Sequence, residues 1–191
     1  MRVYRLSIAI FLVALLNGCS SQSVSLQYYL LHTPNDSVSV SLPPDAQPLL
    51  IRLTNLSVSD YLMQRGLAVQ TAENALHIST QHIWAEPFEA GFKKKLTHAL
   101  GPDYKLIYTN TKKDDEYMLD LSLLHLVATY QGDAVLDARY TLSSPTGSTV
   151  NKAFQVKLDL DSDGYGHAVS VYRQAIVLLA DDIKTQLSAM Q

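Results

Sequence analysis

Cysteine occurs once in these 191 residues, at Cys19, so the chain cannot close an internal disulfide. A small cross-linked scaffold is excluded, and packing has to supply the stability. Positive charge is also scarce, with 15 lysines and arginines against 18 acidic residues and a formal charge of −3. A nucleic-acid binder calls for a basic stripe, and none is present. The longest apolar run, residues 6–16, has about half of the ~20 residues that a membrane-spanning helix needs. Motifs of catalysis are missing as well: there is no G-x-S-x-G elbow, no G-x-x-x-x-G-K-[ST] phosphate loop and no H-E-x-x-H zinc pair. What the chain does have is 47% hydrophobic residues, enough to fill a core.

The short apolar run explains the single cysteine. Arg2 and Arg5 precede it, and Asn17 and Gly18 follow it, which is the layout of a secretory signal. Its end, Leu16-Asn17-Gly18-Cys19, resembles the lipobox of bacterial lipoproteins. That resemblance implies a diacylglyceryl group on the Cys19 thiol, cleavage before Cys19, and a further acyl chain such as palmitate on the new amino group. Each buried methylene contributes about 0.8 kcal/mol, and two chains suffice for stable anchoring. A soluble exported protein with a chance cysteine at the boundary is the alternative. Ser20, where an aspartate would favour the inner membrane, implies the outer membrane of a Gram-negative bacterium. Residues 1–18 are then a signal peptide, residues 19–25 a lipidated tether and residues 26–191 one domain; the mature chain keeps 173 residues, with 13 basic and 18 acidic side chains.

Hydrophobic periodicity predicts an α+β domain. Strands are expected at "LQYYLLH", "LLIRLTNLSV" and "YKLIYT", with a hairpin from Leu67 to Thr80 that turns at Glu73 and Asn74, Asn being tolerant of positive φ. Val38, Val40 and Leu42 alternate with serines and suggest a short edge strand in a proline-rich loop. "YMLDLSLLHLVATY" alternates until Leu124 breaks the phase, which predicts a bulge at Leu123 and Leu124. Leu136, Ala138, Tyr140 and Leu142 face Phe154, Val156, Leu158 and Leu160 across a second hairpin. Two stripes have helical spacing: Phe88, Phe92, Leu96 and Leu100 after Pro87, which suits a first helical position with Glu86 as a cap, and Val169, Tyr172, Ile176, Leu179, Ile183 and Leu187 near the end. The expected architecture is a mostly antiparallel or mixed sheet with two amphipathic helices packed on it.

Several clusters could carry chemistry. Asp159, Asp161, Asp163 and Gly164 match the start of a calcium loop, D-x-D-x-D-G, but Ser170 stands where the bidentate glutamate belongs and a strand precedes the loop. A solvated connection into a helix is the preferred reading, with calcium a weak alternative. Asp114, Asp115 and Glu116 read as a solvated turn rather than an acid/base group. The six histidines are scattered, and His77 and His82 lack metal-ligand spacing. Trp84, the only tryptophan, fits either an interface anchor or packing under the first helix.

The lipobox, "YYLL" at Tyr28 to Leu31, "DYL" at Asp60, Tyr61 and Leu62 with Arg65 following, and "WAEP" at Trp84 to Pro87 together resemble the PqiC/YmbA family of outer-membrane lipoproteins, the ABC-type transport auxiliary lipoprotein component. Where that family commonly continues D-Y-L with an Arg-Pro-Gln type segment, this chain has Arg65-Gly66-Leu67. The resemblance implies a non-catalytic subunit without a cofactor other than its covalent lipid. It would sit on the periplasmic face of the outer membrane and join a periplasmic MCE-domain protein of PqiB type in lipid transport, supporting envelope integrity. A homo-oligomeric ring is implied too, with Asp60, Tyr61, Leu62, Arg65 and Trp84 as partner-binding candidates and no role for nucleic acid. A second reading stays open: an outer-membrane lipoprotein that binds and regulates a cell-wall synthesis enzyme. A lipoprotein hydrolase has no nucleophile constellation behind it.

Overall fold

Residues 25–33, 47–108 and 115–191 are described by the structure, a computed structural model. Cys19, the signal segment, the strand expected at Val38, Val40 and Leu42, and Asp114 lie outside the described residues. The elements run β1 (Gln27–Tyr29), β2 (Leu49–Val58), β3 (Gly66–Ala72), β4 (Ala75–Trp84), α1 (Phe88–Leu100), β5 (Tyr104–Ile107), β6 (Tyr117–Ala128), β7 (Asp133–Ser143), β8 (Thr149–Asp159) and α2 (Tyr165–Ala189).

The strands form one eight-stranded mixed sheet, with two helices completing the α+β domain. β6 organises it. One edge of β6 pairs antiparallel with β7 along its whole length, and β7 pairs antiparallel with β8. The other edge is shared: β2 runs parallel to its first part, and β3 meets it at Val69 and Ala128. β4 returns antiparallel beside β3 and receives β1 in parallel, while β5 lies parallel to β2. The phase break at Leu124 is the expected bulge, because the register to β7 slips between Leu123 and His125. A second slip between Leu53 and Asn55 leaves Thr54 unpaired, and its hydroxyl donates to the Leu119 carbonyl at 3.0 Å.

Both helical stripes are buried as their spacing requires. Phe88, Phe92, Leu96 and Leu100 of α1 and Val169, Tyr172, Ile176, Leu179, Ile183 and Leu187 of α2 join the inward residues of β2, β6 and β7 in one continuous core. Each such side chain contributes roughly 1.5–3 kcal/mol on burial. The Tyr172 hydroxyl accepts from the Ala128 amide at 2.6 Å, fastening α2 to the end of β6. No helix among the described residues is long and apolar enough to cross a membrane.

Four local expectations are corrected. Pro87 is the N-cap of α1 rather than its first helical residue. Glu86 does not cap; its carboxylate pairs with Lys94, eight residues further along. Glu116 does not lie in a solvated turn: it is buried and ion-paired with Arg52 of β2, which runs alongside the start of β6. The turn at Glu73 and Asn74 closes without positive φ at Asn74, since every described residue with positive φ is a glycine.

Candidate functional site

The three sequence segments at residues 28–31, 60–65 and 84–87 come together at one end of the β3–β4 hairpin. β1 lies against the last residues of β4, with Tyr28 beside Ile83 and Tyr29 beside Trp84. Past the strand, the Ala85 amide donates to the Tyr29 carbonyl at 2.8 Å. On the opposite side of β4, the Trp84 amide donates to the Arg65 carbonyl at 2.9 Å. Trp84 is therefore held between the two other segments by backbone bonds. The chain fixes the segments from behind as well: Leu31 is buried in the core, and Arg173 of α2 donates to the Leu30 carbonyl at 3.3 Å.

The loop between β2 and β3 is a compact turn. The Leu62 amide donates to the Ser59 carbonyl and the Met63 amide to the Asp60 carbonyl, at 2.9 and 3.1 Å. Ser59 ties the loop to β6 through its hydroxyl, 2.8 Å from the Leu124 carbonyl it donates to. Tyr61 leans over the same bulge, its hydroxyl 3.2 Å from Nδ1 of His125 and accepting from the Leu126 amide at 3.4 Å. Burial pushes its pKa up to about 12, against the opposing effect of the Leu126 bond. Leu62 points into the core, whereas Asp60 and Arg65 are exposed.

Gly66 permits this closeness. A Cβ at that position would lie 2.0 Å from the Ser79 carbonyl oxygen and 2.8 Å from Cγ2 of Ile78, so no other residue fits without parting β3 from β4. Opposite it, β4 carries extra residues between Ile78 and Ile83, and the Ser79 hydroxyl accepts from the amides of Gln81 and His82.

A cleft of about 340 Å³ opens between residues 63–65 and residues 84–88. Trp84 forms its floor; the indole is buried and meets the Phe88 ring edge-on at 5.5 Å. Met63, 59% exposed, stands at its rim, with Glu86 and Lys94 paired alongside. An apolar centre with a charged margin is the anatomy of a protein-docking surface. Met63 had no signal of its own in the sequence, since the exposure of one loop residue depends on which neighbour turns inward.

The remaining candidates stay apart. Asp159, Asp161 and Asp163 do not gather, and among the described residues no three histidine, cysteine or acidic side chains form a group that could hold a metal ion. His82 is engaged in packing, with Nδ1 2.8 Å from the Tyr29 hydroxyl and its ring stacked on Tyr165 at 4.0 Å. Asp182 accepts from the Tyr140 hydroxyl at 2.5 Å, which joins α2 to β7 and, with burial as the larger cause, raises the Tyr140 pKa.

Comparison with known proteins finds relatives for the domain as a whole. A family model described as ABC-type transport auxiliary lipoprotein component matches residues 29–184, which contain most of the first segment and all of the other two. Intermembrane transport lipoprotein PqiC of Escherichia coli (strain K12) is 21% identical over 175 residues, covering 88% of this chain and 92% of that protein. The crystal structure of an uncharacterized protein is similar with a TM-score of 0.70 at 22% identity, covering 85% of this chain and 99% of that one. A crystal structure from Xanthomonas campestris is similar with a TM-score of 0.58 at 16% identity, covering 78% of this chain and 94% of the other. The two structural likenesses are likenesses of fold.

Proposed function

Because this chain belongs to the ABC-type transport auxiliary lipoprotein component family, we propose that it is the non-catalytic outer-membrane subunit of an MCE-type intermembrane lipid transport system. It docks the periplasmic MCE conduit to the outer membrane and thereby supports envelope integrity. In this reading Cys19 carries the lipid, the domain lies on the periplasmic face, and the partner is an MCE-domain protein of PqiB type. Identical subunits form a ring around the end of the conduit. The role asks for no bond-making chemistry, only for a rigid surface at a fixed place.

One observation carries the reading: residues 28–31, 60–65 and 84–87, far apart in sequence, are bonded into a single surface around Trp84. Arg65 and Asp60 are exposed beside the cleft, and Met63 offers an apolar contact at its rim. Tyr61, Leu62 and Trp84 hold that surface in shape from within or below.

The test is photo-crosslinking in cells from a reactive amino acid placed at Met63, with the exposed Gln155 of β8 as the control position. Capture of an MCE-domain protein from position 63 and not from 155, lost when Cys19→Ala removes the anchor, is the expected result. Capture of a cell-wall synthase without any MCE-domain protein would overturn the reading and favour a regulator of wall synthesis.

A further inference from the structure

The far end of the β3–β4 hairpin is largely exposed, and residues 73–76 face the body only across an open concavity lined by Tyr61, His125, Val127 and Val135. Residues 71–78 are all exposed, on both faces of the strands, so the hairpin projects beyond the packed body. The register puts Leu76 opposite Gln70 and Ile78 opposite Ala68, which places Leu76 and Ile78 on one face. They are 46% and 40% exposed. Beside the hairpin, β3 meets β6 at Ala128, and the turn that follows carries Tyr130, 49% exposed. A concavity lined by Val69, Thr129, Tyr130, Leu160 and Tyr165 confirms that this turn, the hairpin and the start of α2 share one end of the molecule.

Residues 25 and 26 enter β1 from the same direction. β1 runs parallel to β4 and begins beside His82, so Ser25 and Leu26 lie on the side of it that faces the hairpin tip. Leu26, the last of them before the strand, is 47% exposed. The tip lies about five β3 residues beyond that level, roughly 17 Å. Eight positions separate Cys19 from Gln27, a reach of at most roughly 28 Å. A tether that continues this line can carry Cys19 only about 10 Å past the tip. The other end of the hairpin presents Met63 among the charges of Asp60, Arg65, Glu86 and Lys94, a surface suited to water and protein.

We propose that the hairpin tip and the β6–β7 turn, through Leu76 and Tyr130, form the face on which the domain rests against the lipid surface that holds its anchor. A leucine and a tyrosine exposed at one end of the molecule suit the boundary between headgroups and acyl chains. Glu73, Asp161 and Asp163 are exposed at the same end, so the contact is apolar and shallow, and anionic headgroups weaken it. The Trp84 cleft then points away from the membrane, toward the periplasm. The inference rests on the anchored-lipoprotein part of the proposed function and extends it to an orientation.

The lipid on Cys19 makes the test clean, because it consumes the chain's only thiol and leaves an introduced cysteine as the sole labelling site. The full lipidated protein, verified by its mass, is reconstituted into vesicles of phosphatidylethanolamine and phosphatidylglycerol. Single variants Leu76→Cys, Tyr130→Cys, Met63→Cys and Leu178→Cys each carry a polarity-sensitive fluorophore. Blue-shifted emission at 76 and 130, lost on adding doxyl-labelled lipid and diminished as phosphatidylglycerol is raised, is expected, with no change at 63 and 178. Vesicle-bound protein whose labels at 76 and 130 stay open to aqueous iodide would overturn the orientation while leaving the anchor intact. Labels at 76 and 130 shielded from iodide but untouched by doxyl lipid would overturn it in favour of a protein neighbour, such as a second copy of this chain. A mature protein without lipid, free of the vesicles, would overturn the anchor reading and the orientation together.

Discussion

Gly66→Ala should damage this protein, and Gly91→Ala should not, although both glycines are buried within regular elements. At Gly66 the added methyl meets the Ser79 carbonyl oxygen at 2.0 Å and that residue's carbonyl carbon at 3.0 Å. Both atoms are backbone, so relief requires moving β4 rather than rotating a side chain. Overpacking of this kind costs about 1–3 kcal/mol, and more where the backbone cannot yield. At Gly91 the nearest neighbours are Oε1 of Glu86 at 3.4 Å and Cβ of Leu31 at 3.5 Å, ordinary contacts on an α-helix. Alanine there gains about 0.8–1 kcal/mol of helix propensity. For a domain of this size 1 kcal/mol moves Tm by about 2–4 °C. Thermal unfolding followed by circular dichroism should therefore show Gly66→Ala melting about 3–10 °C below the parent and Gly91→Ala at or slightly above it. The local consequence is more specific than the loss of stability. Arg65 precedes the strained position and bonds Trp84, so Gly66→Ala should also abolish crosslinking from Met63 at temperatures where the protein remains folded. Equal melting temperatures for the two variants would refute the packing argument.

Two further perturbations separate roles that the sequence runs together. Leu62→Ala removes a core side chain and should cost about 2–5 kcal/mol, whereas Met63→Ala, on an exposed residue, should leave denaturant unfolding unchanged and weaken partner capture. Tyr61 holds its proton up to about pH 12, against an ordinary value of 10.0, chiefly because it is buried, and burial also raises Tyr172. Between those pH values the unfolded chain releases phenolic protons that the folded chain keeps, so this contribution is complete below about pH 10 and is lost as pH rises toward 12. Urea midpoints measured from pH 9 to 12 should fall, and less steeply in Tyr61→Phe; an identical slope in that variant would remove Tyr61 from the account.

Much of the fold follows from spacing alone. Every fourth residue from Phe88 to Leu100 is apolar because a helix brings those positions to one side, and all four are buried. Strict alternation in β7 and β8 set their pairing, and the broken phase at Leu124 marked a bulge, since a pleated strand shows its two faces in turn. Patterns within one segment are silent about partners from elsewhere. Glu116 looked solvated beside other charges, yet its partner Arg52 arrives from a strand more than sixty residues earlier. Leu62 and Met63 are adjacent and both apolar, and only the turn geometry sends one inward and the other to solvent.

The same division holds for function. A lone cysteine after a short apolar run and the segments at residues 28–31, 60–65 and 84–87 are local features, and they pointed to the family to which the chain belongs. That those three segments bond to one another around Trp84 could be decided only by the folded sheet, because β1, β4 and the residue before β3 become neighbours through register and not through order along the chain. Sequence fixes which side chains are available for docking, and tertiary contact fixes which of them face the same way.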